Sequence, residues 1–325
     1  MPRLTVGLPV YNGALHLAES IEALRGQTYD DFELIISDNA STDATQEICR
    51  DFVVRDSRIR YHRQPRNLGA AGNHNFVVDH ARGELFKWAS HDDLYARDLL
   101  AQCVDALDER PDVVLAHSWT AMIDSAGEVT LALEYPLATD SPRAPERFRS
   151  LLWGTGGDDF YGVMRKEAFG RALHQGSHHR SDRTLVAALS LYGPFYQVPE
   201  WLYFRREHPE LERAREGAGL GEQWWPERDW PIGRAARLNM DPQRANRLRN
   251  PAVRLYGEYV WAYVSAIRSA PLSSADRLEC DRYLMQWLAG KTRVGRPPVP
   301  TRPVRAAQTS ISVAAVVAGH KERAS

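Results

Sequence analysis

Short apolar runs alternate with helix-spaced apolar positions through the first hundred residues. Leu4 to Val10 is β-rich and ends at Asn12-Gly13. Leu17, Ile21 and Leu24 then recur at the spacing of one helix face. Phe32 to Ser37 is a second strand-like run, closed by Asp38-Asn39. Ser41, Thr42 and Asp43 offer N-caps, with Gln46 three residues after Asp43 as in a capping box. Ala44, Ile48 and Phe52 give the following helix its stripe. A third strand is predicted over Ile59 to His62, a helix around Val77, Val78 and Ala81, and a fourth strand over Glu84 to Ser90. A helix through Leu99, Leu100, Cys103, Val104 and Leu107 and a strand from Asp112 to His117 follow. Strands alternating with helices of this length predict βαβ units and a mostly parallel sheet, an α/β fold.

The pattern loosens after residue 118. Asp124 to Gly127 reads as a hairpin turn, and the proline-bearing stretch Leu137 to Pro145 as a loop. Leu185, Val186 and Leu189 predict a helix stopped by Gly193-Pro194, and Phe195 to Val198 and Trp201 to Arg205 two short strands. From Glu210 to about Asn250 the chain is charged, with tryptophans at 224, 225 and 230, before two helical patterns over 251–268 and 274–290. The expected organisation is 1–118 and 119–210 as two halves of one α/β domain, 211–290 as a helical extension and 291–325 as a basic tail.

Composition narrows the classes. Of 325 residues, 43% are hydrophobic, ample for a core, and 41 basic residues against 42 acidic ones leave a net charge of −1. Nothing global favours nucleic acid. Three dispersed cysteines, Cys49, Cys103 and Cys280, make neither a disulfide framework nor a CxxC zinc pattern, so a reducing, cytoplasmic setting is expected. The start MPRLTVGLPVYNG carries no signal-peptide pattern, and no run of 18 apolar residues predicts a membrane span.

In an open α/β sheet, ligands bind beyond the carboxyl ends of the strands. The chain puts unusual residues there: Pro9, Tyr11 and Asn12 after the first strand, and Asp38-Asn39 after the second. Arg66, Asn67 and Gly69 follow the third, and His91, Asp92 and Asp93 the fourth. Asp38-Asn39 also fits a turn and cap, and Arg66-Asn67 a surface loop. Capping alone would explain one acid of the Asp92-Asp93 pair. Two adjacent acids after a buried strand raise each other's pKa unless a cation neutralises them, which suits Mg²⁺ or Mn²⁺ bridging carboxylate and phosphate oxygens.

Together, TVGLPVYNG, LIISDNASTD, RNLGAAGNHN and WASHDDLY resemble glycosyltransferase family 2 in motif order and spacing, over roughly residues 1–210. The resemblance implies a GT-A fold and an inverting transfer of sugar from a nucleoside diphosphate donor to an acceptor hydroxyl. It implies that Pro9, Tyr11 and Asn12 line the nucleoside pocket and that Asp38 bonds the base, with uracil or thymine favoured over guanine. Arg66 then approaches the base or phosphates, Asp92 contacts the ribose or sugar, and Asp93 holds the metal on the diphosphate. Ser90 stands where the family's D-x-D-D form begins with an acid. Asp158, Asp159 and Tyr161 match the acceptor-facing segment. Asp182 matches the carboxylate of the Glu-Asp motif, with Ser181 replacing the Glu, and becomes the general base; Asp158 and Asp159 are its rivals. His208 matches a late His that ligates metal or faces phosphate, and also reads as a loop histidine. The implied cofactor is Mn²⁺ or Mg²⁺, and the implied acceptor a glycan, glycolipid or cell-envelope precursor.

Other classes fit less well. A dinucleotide-binding dehydrogenase needs G-x-G-x-x-G after the first strand, where Pro9-Val10-Tyr11-Asn12-Gly13 stands. The Gly217-Gly219-Gly221 run follows a charged stretch, not a strand. A sugar nucleotidyltransferase needs a Gly-rich basic loop there, and a P-loop enzyme GxxxxGK[ST]. An inactive sugar-binding scaffold of the same fold would not need Asp92, Asp93 and Asp182. His174, His178 and His179 read as a solvated loop more readily than as a zinc site. Basic residues and prolines make the tail a linker, or, with the apolar run Ile311 to Ala318, a peripheral membrane contact near an anionic surface. The aromatic helices at 251–290 fit a cover over the acceptor half or a homodimer face.

Overall fold

The computed structural model describes residues 1–133, 137–154, 158–171, 174–178, 180–207, 241–242 and 252–290, with positions 313 and 317. The first half runs β1 (Leu4–Val10), α1 (Leu17–Arg25), β2 (Phe32–Asp38), α2 (Thr45–Arg55), β3 (Ile59–Arg63), α3 (Gly69–Asp79), β4 (Leu85–Trp88), β5 (Leu94–Tyr95) and α4 (Leu99–Glu109). The second half adds β6 (Leu115–Ile123), β7 (Val129–Leu133), α5 (Ala144–Trp153), a 3₁₀ turn (Asp158–Tyr161), β8 (Val163–Arg165), α6 (Lys166–Arg171), α7 (Ser181–Leu189) and β9 (Phe195–Arg206). Two helices follow, α8 (Ala252–Ser269) and α9 (Ser274–Gly290).

One sheet carries both halves, in the order β3-β2-β1-β4-β8-β6-β9-β5, with β7 on β6. β1 to β4 are parallel; β8 is antiparallel to β4 and β6, and β6 is parallel to β9. The chain steps outward from β1 to β3 and then returns to β4 on β1's other side. That reversal opens a crevice beyond the carboxyl ends of β1 and β4. The expected boundary at 118/119 falls inside β6, so the halves share a sheet and are not separate bodies.

Helices cover both faces. Leu4, Val6, Leu8 and Val10 of β1 alternate onto the side of α1, α2 and α4. The opposite side packs α3, α5, α7, α8 and α9 around Phe86, Trp88, Phe148, Leu185 and Tyr263. On that side β1 presents Gly7, where a Cβ would stand 2.6 Å from Val77 Cγ2. The missing side chain lets α3 lie directly on the central strand. Pro9 is tolerated in this central strand because β4 ends beside Gly7, so no neighbour there asks for its amide.

Several boundaries differ from expectation. α5 begins inside the stretch read as a loop: Pro145 is in its first turn, where a proline's missing N–H costs nothing. The two expected strands 195–198 and 201–205 are one strand, with the register against β6 shifting past Pro199-Glu200. α2 has Ala44 at its N-cap and no capping box; Asp43 instead accepts from the Thr45 amide at 3.1 Å and from Ala14 N at 3.0 Å. In the tail, Val313 is buried against the first core layer and Val317 packs on it. Neither a linker nor a membrane contact anticipated that. No helix among the described residues is long and apolar enough to cross a membrane.

Candidate active site

The crevice is bounded by four loops that the sheet brings together. The β1 and β2 loops brace each other. Asn12 N donates to Ser41 Oγ at 2.9 Å, and Asn12 Oδ1 accepts from Thr42 N at 2.8 Å. Asn12 and Ala40 both have positive φ, 52° and 62°, a conformation Asn tolerates through local hydrogen bonding. Asn12 therefore spends its side chain on the loop, while Tyr11 stands 43% exposed at the rim.

Asp38 closes β2. It is fully buried; Oδ1 accepts from Ser41 N at 2.8 Å, and Oδ2 from Tyr61 Oη at 2.7 Å and Arg63 Nη1 at 2.9 Å. A carboxylate with three donors inside the protein holds the β2 loop to β3. Its neighbour Asn39 ties that loop to the start of α3, accepting from Leu68 N at 2.7 Å and donating to Asn67 Oδ1 at 3.0 Å. Arg66 is exposed, with no ion partner among the described residues.

The β4 loop separates the paired acids. Asp93 is 3% exposed and points inward: it accepts from the Tyr203 hydroxyl and, at 2.8 Å, from Arg206 N. Burial, and next the charge of Asp92, push its carboxyl up to about 7. Both Asp93 oxygens thus tie the start of β5 to β9. Asp92 lies on the crevice side of the pair and accepts from the Ser90 hydroxyl. Arg206 clamps the loop from below, donating from Nε to Asp92 O at 2.8 Å and pairing through Nη2 with Glu19 at 2.8 Å.

Beneath these acids lies a residue that the motif reading passed over. Lys87 is fully buried on β4, with Nζ donating to the Tyr161 carbonyl and standing 5.3 and 5.6 Å from the Tyr95 and Tyr203 ring centroids. Desolvation lowers its ammonium to about 8. A cavity of about 10 Å³, lined by Lys87, Cys103, His117, Ser118, Tyr161 and Tyr203, adjoins it, room for one water. A charged residue inside an otherwise apolar strand, LFKWA, was the available signal.

On the acceptor side, Asp182 stands in the first turn of α7 and is half-buried. Among the described residues no donor reaches its carboxylate. The preceding Arg180 is left-handed, φ 56°, and turns the chain into the helix. Asp159 is fully buried, bonded to Phe160 N at 3.1 Å and 3.9 Å from Arg183 Nη1. Tyr161 is partly buried over Lys87, and burial raises its phenol strongly. The side chain of Asp158, His179, all of His208, and the tryptophans at 224, 225 and 230 lie outside the described residues. His178 is buried against Tyr259 at 5.7 Å and His174 pairs with Asp79 at 3.4 Å, so these two histidines diverge.

No group of three metal-ligating side chains occurs among the described residues. The donor set still suits a hard divalent cation, since Mg²⁺ and Mn²⁺ commonly bind one or two carboxylates plus substrate phosphates.

The profile described as Glycosyl transferase family 2 matches residues 5–171. Glycosyltransferase GlyG of Streptococcus pneumoniae is 32% identical over 115 residues, 35% of this chain and 38% of that protein. GalNAc(5)-diNAcBac-PP-undecaprenol beta-1,3-glucosyltransferase of Campylobacter jejuni is 26% identical over 199 residues, 60% and 62% of the two chains. Both alignments cover less than two thirds of the relative's own length. The crystal structure of S. aureus TarS 1-349 in complex with UDP superposes with a TM-score of 0.58 at 15% identity, covering 89% of this chain and 71% of that one. The shared architecture is the GT-A type.

Proposed function

The chain belongs to glycosyl transferase family 2 and is a glycosyltransferase, and from that premise we propose that it moves a sugar from a nucleoside diphosphate to an acceptor hydroxyl with inversion. The observation that carries this reading is the half-buried Asp182 carboxylate in the first turn of α7, which no described donor occupies. A carboxylate that no described donor occupies has its lone pairs open to an incoming hydroxyl proton.

Tyr11 and Arg66 form the rim over the nucleoside, with Pro9 and the Asn12 brace as its floor. Asp92 holds Mg²⁺ or Mn²⁺, which when bound neutralises charge on the leaving diphosphate. Asp182 accepts the proton of the attacking hydroxyl, an effect of roughly 10²–10⁴-fold. The crevice aligns the two partners, and inversion then needs no second nucleophile. The S. aureus TarS structure is a complex with UDP, and the Campylobacter relative is named as acting on an undecaprenol-linked saccharide. These favour a uridine donor and a lipid-linked or cell-envelope acceptor here, which fits a protein working at the inner face of a membrane.

The test needs no acceptor. Wild-type protein is incubated with UDP-glucose, UDP-N-acetylglucosamine, TDP-glucose and GDP-mannose, with Mn²⁺ or with EDTA, and free nucleotide is measured. Slow release from one donor, using water as acceptor and suppressed by EDTA, is expected. Release from none, with no nucleotide binding, contradicts the proposal.

A further inference from the structure

His74 lies on α3, between the acid loop of β4 and the turn that precedes α7. Its Nδ1 is 2.8 Å from the Ala70 carbonyl. A carbonyl only accepts, so Nδ1 carries the proton and Nε2 is left as a lone pair. The ring is held on two sides, 6.4 Å from Trp88 at the end of β4 and 6.0 Å from Phe160 in the 3₁₀ turn. The main chain is held too: Trp88 Nε1 donates to His74 O at 3.3 Å, and Asn75 Nδ2 to Gln175 O at 2.9 Å. Burial lowers the imidazole below its ordinary value, opposed by Asp182's charge and aided by that of His91. The ring therefore feels both the β4 loop and the candidate base. It is half-buried and, among the described residues, nothing bonds to Nε2.

We propose that His74 determines sugar specificity, its Nε2 accepting a hydrogen bond from a hydroxyl of the transferred sugar. The proposal rests on the donor-site reading above and deepens it. A neutral ring with one enforced tautomer is an acceptor only at Nε2, so it recognises an O–H and cannot pair with a phosphate. Packed beside the end of β4 and the 3₁₀ turn, and within reach of the charges of His91 and Asp182, the ring stands near the path a sugar takes from diphosphate to acceptor. The helix bond and the two aromatic neighbours hold the imidazole, so little ordering is needed on binding.

The experiment compares the nucleotide with its sugar conjugate. Calorimetric Kd values of UDP, UDP-glucose and UDP-N-acetylglucosamine, with Mn²⁺, are measured on wild type, His74→Asn and His74→Gln, alongside TDP/TDP-glucose and GDP/GDP-mannose. Asparagine keeps a polar atom near Nδ1 but none at Nε2; glutamine reaches the Nε2 position. Expected is about a tenfold loss of affinity for the sugar-bearing donor in His74→Asn, with the bare nucleotide unchanged, and partial recovery in His74→Gln. An unchanged ratio of the two Kd values, or equal loss for nucleotide and conjugate, overturns the role of His74 alone. Failure of wild type to bind any pair overturns the donor-site reading with it.

Discussion

Asp93 and Asp182 are both acids at the ends of elements that point into one crevice, and they live opposite lives. Asp93 is buried, bonded to Tyr203 and to Arg206 N, with its carboxyl pushed to about 7. Asp182 is half-buried in a helix's first turn, with no described donor. Asp38 and Asp159 side with Asp93 in their burial; Asp92, buried and accepting from the Ser90 hydroxyl, stands between the two cases. The difference teaches that a motif acid is a strut or a reagent according to where its lone pairs go. A strut spends them on amides and hydroxyls of neighbouring loops. A reagent is held by its backbone and keeps them for a ligand.

The sharpest way to test that division is Asp182→Asn. It keeps shape and removes the base, so kcat should fall roughly 10²–10⁴-fold with donor Kd and melting temperature unchanged. A parallel fall in thermal stability would make Asp182 a strut too. Asp38→Ala should do the reverse. It strands the Tyr61 hydroxyl, Ser41 N and Arg63, and should cost about 3 kcal/mol in denaturant unfolding. Nucleotide binding lost with no loss of stability would return Asp38 to the base pocket.

Lys87 gives a pH signature of the layer under the site. Its folded pKa, about 8, lies below the ordinary 10.5, so the unfolded chain binds more protons between those values. Stability from this group therefore rises as pH climbs from about 8 to about 10.5, by up to about 3 kcal/mol. Lys87→Met should lack that rise relative to wild type in paired unfolding curves. Identical curves would mean that the ammonium is solvated. The smallest effect belongs to the rim: Arg66→Ala should weaken nucleotide binding no more than about fivefold, and less at high salt.

Much of this was legible in the sequence for physical reasons. β1, β2 and β4 stand out as short apolar runs because helices bury both of their faces, and the helices between them show period 3.6 because each buries one stripe. α5 was hidden because proline reads as a breaker, yet in a first turn it starts a helix. The joined strand β9 was hidden by Pro199, which a bulge accommodates. The site's membership was legible, since topology brings strand ends together whatever the side chains do. The roles of Asp38, Asp93 and Asp159 were not, because burial and bonding partners come from β9, β3 and α7, distant in sequence. Lys87 and His74 were visible only as a charge in an apolar strand and a histidine in a Gly-Ala helix, signals too common to single out.

The most direct test of strut against reagent sets Asp92→Asn beside Asp93→Asn, with UDP titrated calorimetrically in Mn²⁺ and in EDTA and each protein's melting temperature recorded. The account predicts that Asp92→Asn melts like wild type but loses the Mn²⁺-dependent gain in affinity, whereas Asp93→Asn shifts in melting temperature and, where folded, keeps that gain. An Asp93→Asn protein with unaltered melting that loses the Mn²⁺-dependent binding, beside an Asp92→Asn protein that retains it, would contradict the account.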